Sequence, residues 1–217
     1  MAFFYRTPNA FFVSAAGRRL QKQIGRFLRG EKLIDRSAVL IGSVFPFLDV
    51  FEQNNPDIVF ETETFDSSVF FSSLPSAFGI DAFFIAALNE SVAGNLPLLI
   101  KEAGRLLKPQ GRLFLLVKNK KRLFFARVPE MPETPLRILR TEIRGNGFSL
   151  QREKGLLHFP CDGSVGKKVD DFLFSLPLKN GNFSLIVAQK EATEASAVEH
   201  YKSTRITKAS VFTSPRT

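Results

Sequence analysis

The chain has no tryptophan, one cysteine, two histidines and two tyrosines among its 217 residues. A lone Cys161 excludes an internal disulfide framework and suits a reducing compartment, so a cytoplasmic protein is expected. His158 and His200 lie far apart, and Cys161 is near only the first, so no metal site is expected. The absence of a G-x-S-x-G stretch argues against a hydrolase of the nucleophile-elbow type. Gly163-Ser164-Val165-Gly166-Lys167-Lys168 lacks the spacing of a phosphate-binding P-loop and reads as a surface turn before a helix. No apolar run approaches the roughly 18 residues that cross a bilayer, so a soluble chain is expected. Acidic residues are missing from Met1 to Gly30, which holds Arg6, Arg18, Arg19, Lys22, Arg26 and Arg29. A mitochondrial presequence has the same character, so a mitochondrial location is the alternative.

What is present has the patterning of an α/β domain. Hydrophobic residues make up 44% and charged residues 24% of the chain, ordinary for a globular protein. Ser14 stands as the cap of a helix running to about Leu28, with Ala16, Leu20, Ile24, Phe27 and Leu28 on its apolar side. Ala38 to Ile41 is a short strand before the loop Gly42-Ser43-Val44-Phe45-Pro46. Ile58 to Phe60 and Ser68 to Phe71 are further strand candidates, and Ile80 to Leu88 is a buried strand with a polar end at Asn89 and Glu90. Leu96, Leu99, Ile100, Ala103, Leu106 and Leu107 share one helix face. Pro109 and Gly111 end that helix, the glycine taking the positive φ, and Leu113 to Val117 follows as a strand covered on both faces. Leu136 to Arg144 reads as a helix stopped by Gly145-Asn146-Gly147. Phe148 to His158 and Phe183 to Ala188 are the last strands, read as antiparallel, with a helix near Lys168 to Phe174.

The expected organisation is a basic helical segment over residues 1–30, an α/β domain over 31–190 and a disordered tail over 191–217. The expected fold is a doubly wound, mostly parallel sheet in three layers, which binds ligands at the carboxyl ends of its strands. The net charge of +9 is localised. Beyond the basic start, Lys101 to Arg127 contains one acid, Glu102, and is densest just past a predicted strand. There Lys118, Lys120, Lys121 and Arg122 are candidate anion- or acceptor-binding residues, unless the run is only a solvated surface. Phe124 and Phe125 beside it either stack on bases or belong to the core.

Ile80-Asp81, Asn89-Glu90, Leu99 to Lys108 with Glu102 and Arg105, and Pro109-Gln110-Gly111-Arg112-Leu113 follow one another in a set order. With Gly147-Phe148 before a later strand, this stretch resembles the second half of the class I S-adenosylmethionine-dependent methyltransferase domain of the small, type 11 kind. More narrowly, Phe11-Phe12-Val13-Ser14-Ala15-Ala16-Gly17-Arg18, Leu40-Ile41-Gly42 with Pro46-Phe47-Leu48, and Asn119-Lys120-Lys121 with Arg127 are similar to an alphaproteobacterial methyltransferase-like group. The resemblance spans about residues 11 to 190 and implies a Rossmann-like methyltransferase fold with S-adenosylmethionine as cofactor.

That resemblance implies cofactor contacts at Gly42, Ser43 and Glu61, with Asn89 and Glu90 on the side of the transferred methyl group. An anionic acceptor, a nucleic acid or a phosphate-bearing metabolite, would suit Lys118 to Arg122. Two departures stand out. The first loop offers Gly42 and then Ser43, Val44 and Phe45 where the family carries two or three glycines, and Ser72, Ser73 and Ser76 stand where acids are expected. Three functions therefore remain open: a methyltransferase; a catalytically inactive binding or assembly module on the same fold, with nucleic acid as a candidate partner; or an RNA-binding protein using Lys118 to Arg122 and the N-terminal helix.

Overall fold

The computed structural model describes residues 8–29, 38–43, 45–47, 50, 58–60, 79–120, 131–159 and 164–192. The strand read at Ser68 to Phe71, the pair Phe124 and Phe125 and the tail beyond residue 192 lie outside them.

Two helices open the fold, α1 (Pro8–Phe12) and α2 (Ala15–Leu28). Ser14 caps α2, its Oγ accepting from the Gly17 amide at 3.1 Å, as its sequence position predicts. Gly17 has no room for a side chain: a Cβ there would run into the Phe11 carbonyl, so the glycine lets α1 fold back onto α2. The strands are β1 (Ala38–Gly42), β2 (Ile58–Phe60), β3 (Ile80–Ala87), β4 (Leu107–Asn119), β5 (Glu133–Thr134), β6 (Phe148–Leu156) and β7 (Phe183–Lys190). Helices α3 (Glu90–Gly94), α4 (Leu96–Leu106), α5 (Leu136–Gly145) and α6 (Ser164–Ser175) alternate with them.

The strands form one sheet in the order β2-β1-β3-β4-β7-β6, with β5 beside the end of β4. All neighbouring pairs are parallel except those of β7, which runs antiparallel to both β4 and β6. The period-two alternation of strands sorts the apolar residues into two layers. Leu40, Phe84, Phe114 and Val187 lie in register and pack toward α1 and α2. One residue further on, Ile41, Ile85, Leu115 and Ile186 pack on the opposite face toward α4 and α5. The sheet is thus the middle of three layers, as the continuous apolar strands predict.

Two local readings need correction. The turn expected at Pro109 to Gly111 lies inside β4, which starts as soon as α4 ends. There the pairing with β3 shifts between Ile80 and Ala82, and Gln110, not Gly111, takes the positive φ of 65°. The bulge is held by Gln189, whose Nε2 donates to the Gln110 carbonyl at 3.3 Å. The second correction concerns Ser164 to Lys168, which is already the first turn of α6 and not a turn before it.

A buried polar cluster joins α2, the end of β6 and α6. Gln23 donates to Asp170 at 2.9 Å and accepts from the Leu157 amide at 2.8 Å. Beside it, His158 is 1% exposed and its ring nitrogens have no hydrogen-bond partner among the described residues. Burial, reinforced by the nearby Lys154 charge, lowers its pKa from 6.5 to about 4. The folded state therefore binds fewer protons than the unfolded chain between those values. Stability from this group is complete above 6.5 and falls as pH drops toward 4, by about 3 kcal/mol. Asp170 works in the opposite direction, because burial raises its pKa. A His158→Phe variant isolates the histidine's share. The stability difference between wild type and variant, followed by urea unfolding, is expected to move by about 3 kcal/mol from pH 7 to pH 4. A constant difference would show that folding leaves the proton affinity of His158 unchanged.

Candidate functional site

Strands β1, β3 and β4 run parallel and end side by side, with Gly42 opposite Ala86 and Ala87 opposite Val117. Gly42 is there for a physical reason. Its φ is +96°, and a Cβ at this position would run into the Ala86 carbonyl. The chain thus turns at the end of β1 while staying close to β3. The next residue, Ser43, has a buried Oγ without a hydrogen-bond partner among the described residues.

Beyond Ser43 a short 3-10 turn, Phe45–Phe47, carries the bulky side chains that crowd the first loop in sequence. Both rings are used in packing toward α1 and α2. Phe45 stacks on Phe12 with ring centres 6.3 Å apart and planes 2° from parallel, and its carbonyl accepts from Gln21 Nε2 at 2.8 Å. Phe47 is fully buried, with its edge against Phe84 at 5.3 Å.

At the end of β3, Asn89 caps α3, its Oδ1 accepting from the Val92 amide at 2.8 Å. Its side-chain oxygen is thereby committed to the backbone. Glu90, in the first turn of α3, is exposed. Gly42, Ser43, Asn89 and Glu90 thus lie at adjacent strand ends, as the sequence places them, while Glu61 lies outside the described residues.

At the end of β4 the basic run divides. Lys118 is 4% exposed; its Nζ donates to the Met131 carbonyl at 3.1 Å and lies 3.9 Å from the Glu133 carboxylate. β5 flanks the strand here and turns this lysine inward, away from an open basic surface. Asn119 is also buried, donating to the Gly181 carbonyl at 2.7 Å and the Ser184 hydroxyl at 2.9 Å. Lys120 is exposed, and Lys121 and Arg122 lie outside the described residues. Beyond Lys120 a cavity of about 260 Å³ is lined by Asn119, Lys120, Pro135, Arg137, Arg140 and Asn180, among others. The arginines come from α5, a helix read in sequence from Leu136 to Arg144 with its stop at Gly145-Asn146-Gly147. The signal for the cavity was their spacing at 137, 140 and 144.

No protein-family model matches the sequence, and no curated protein matches it. Solved structures do match. A methyltransferase from Thermotoga maritima, described as S-adenosylmethionine-dependent and a possible histamine N-methyltransferase, superposes with a TM-score of 0.55 at 14% identity, over 84% of this chain and 94% of that one. An O-methyltransferase family protein from Burkholderia thailandensis gives 0.50 at 13% identity, over 86% of this chain and 60% of that one. At such identities the likeness is one of fold. Together with the strand order and the three layers, it identifies the architecture: the chain has the class I S-adenosylmethionine-dependent methyltransferase fold.

Proposed function

We propose that the protein is an S-adenosylmethionine-dependent methyltransferase acting on an anionic acceptor. The observation that carries this reading is the strand-end arrangement in that fold: Gly42 turning at φ +96°, followed by the buried Ser43 hydroxyl, which has no hydrogen-bond partner among the described residues. That hydroxyl fits a polar cofactor group, since a buried polar atom left unpaired costs about 1–3 kcal/mol. Gly42 and Ser43 hold the amino-acid part, Glu61 the ribose, and Asn89 and Glu90 border the methyl group. When bound, the cofactor supplies a methyl group on a sulfonium centre. The protein's task is then to align the acceptor and exclude water, which needs no catalytic triad. Lys120, with Lys121 and Arg122, attracts the acceptor; Lys118 contributes from beneath as the buried support of β5. A cytoplasmic location accords with the lone Cys161.

A second reading, the inactive binding module, is favoured by two details. A side chain-free Gly42 is already required by the approach of Ala86, and the Asn89 oxygen is already used by the α3 cap. Calorimetric titration with S-adenosylmethionine and S-adenosylhomocysteine separates the two. The enzyme reading expects saturable micromolar binding, weakened about 2- to 10-fold by Ser43→Ala through the loss of one hydrogen bond. No heat and no thermal shift at millimolar cofactor would leave the module reading.

A further inference from the structure

We propose that α5 carries a binding track for a single nucleic-acid strand, which leads its phosphates to the carboxyl end of β4. The track deepens the methyltransferase reading, resting on it for the fate of the bound strand but not for the binding itself. Arg137, Arg140 and Arg144 recur at i, i+3 and i+7 and so share one face of α5. At about 1.5 Å per residue they span about 10 Å of helix. A surface groove of about 610 Å³ runs beside Arg137, Arg140, Thr141 and Arg144. The 260 Å³ cavity at Lys120 also has Arg137 and Arg140 in its wall, so the two concavities adjoin. Together they form a cationic path from the surface of α5 to the strand end.

Along this path only Arg140 is offset by a local acid among the described residues. Arg140 forms two hydrogen bonds with Glu153, at 2.9 and 2.6 Å, and is largely neutralised. Arg137, Arg144 and Lys120 have no ion pair among the described residues. Glu142, the acid on α5, is not three or four residues from any of the arginines. Like charges at that spacing repel, and a bound polyanion relieves the repulsion. Inside the cavity wall, Asn119 is 1% exposed and its Oδ1 has no hydrogen-bond partner among the described residues. An unpaired carbonyl oxygen accepts from an amino or imide N–H, which a nucleobase supplies and a bare phosphate does not. The cavity's size admits one base and not a duplex. Asn119 in its wall is two strands across from Gly42 and three residues further along, about 14 Å at the usual strand spacings, at the same end of the sheet.

The test is fluorescence anisotropy of a labelled 12-nucleotide single-stranded RNA with the full chain, without cofactor. Three phosphate contacts predict a slope of log K against log salt of about −2, and Arg137→Ala/Arg144→Ala is expected to bring it to about −0.7. Both side chains are exposed, so the variant is expected to keep its circular dichroism and unfolding midpoint. Arg18→Ala/Lys22→Ala, on the opposite layer, is expected to leave binding unchanged. Absence of binding at low salt overturns the track. So does equal loss in the α2 variant, and so does RNA that fails to bind where tripolyphosphate does, which would make the site one for small phosphates. Calorimetry with S-adenosylmethionine is read separately: RNA binding without cofactor binding removes the enzyme and leaves the track, and the reverse removes the track alone.

Discussion

Replacing Phe114 with alanine is expected to lower stability by about 3–5 kcal/mol. Phe114 is fully buried in β4, at the middle of the sheet, where β3 and β7 flank it. Its ring stacks on Phe84 with centres 4.4 Å apart and planes 10° from parallel, and Phe84 in turn meets Phe47. Truncation removes the transfer free energy of the ring and leaves a cavity that regular strands on either side cannot collapse. The stacking geometry adds about 0.5–1.5 kcal/mol that a Phe84→Ala/Phe114→Ala cycle would recover as non-additivity. Phe114→Leu keeps most of the volume and is expected to cost about 1.5 kcal/mol or less. Urea unfolding midpoints at constant slope give these differences, and a loss under 1 kcal/mol for the alanine variant contradicts the packing described.

A second large loss, again about 3–5 kcal/mol, is expected for Asp170→Ala. Asp170 is fully buried, and each of its oxygens has an assigned donor: Gln23 Nε2 at 2.9 Å and the Phe159 amide at 2.9 Å. Burial raises its pKa, while those hydrogen bonds and the Arg19 charge pull it back. Removing the carboxylate takes away the acceptor of the Gln23 amide and the Phe159 N–H and a negative charge that the Arg19 cation favours. It also removes the buried hydrogen bond between α2 and α6, leaving the exposed Arg26–Asp171 pair at 3.5 Å. Asp170→Asn retains the shape and one acceptor, so its loss should be clearly smaller. Equal losses for the two variants would show that the charge, and not hydrogen bonding, holds the cluster.

Much of this fold is legible in the sequence because its signals are local. The Ser14 cap, the helix face from Leu96 to Leu106 and the unbroken apolar strands each report their own burial. What escaped is what depends on neighbours. The bulge that puts a positive φ on Gln110 exists because β3 and β4 must stay in register around extra residues. Lys118 reads as part of a basic run, yet β5, whose Glu133 pairs with it fifteen residues later in the chain, turns it inward. Gly42 and Asn89 are candidates in the sequence, but what the fold uses them for, the approach to the Ala86 carbonyl and the α3 cap, are tertiary and capping facts that type and spacing alone do not assign. The arginine face of α5 was visible as a spacing; only the cavity beside it gives the spacing a use.

The most direct measurement is amide hydrogen exchange with and without saturating S-adenosylhomocysteine. A methyltransferase using the strand-end site predicts slowed exchange in the peptides carrying Ser43 and Asn89 to Val92, with the α6 peptides unchanged. Unaltered exchange at those two strand ends, or protection confined to another part of the molecule, would contradict the cofactor site and the enzyme with it.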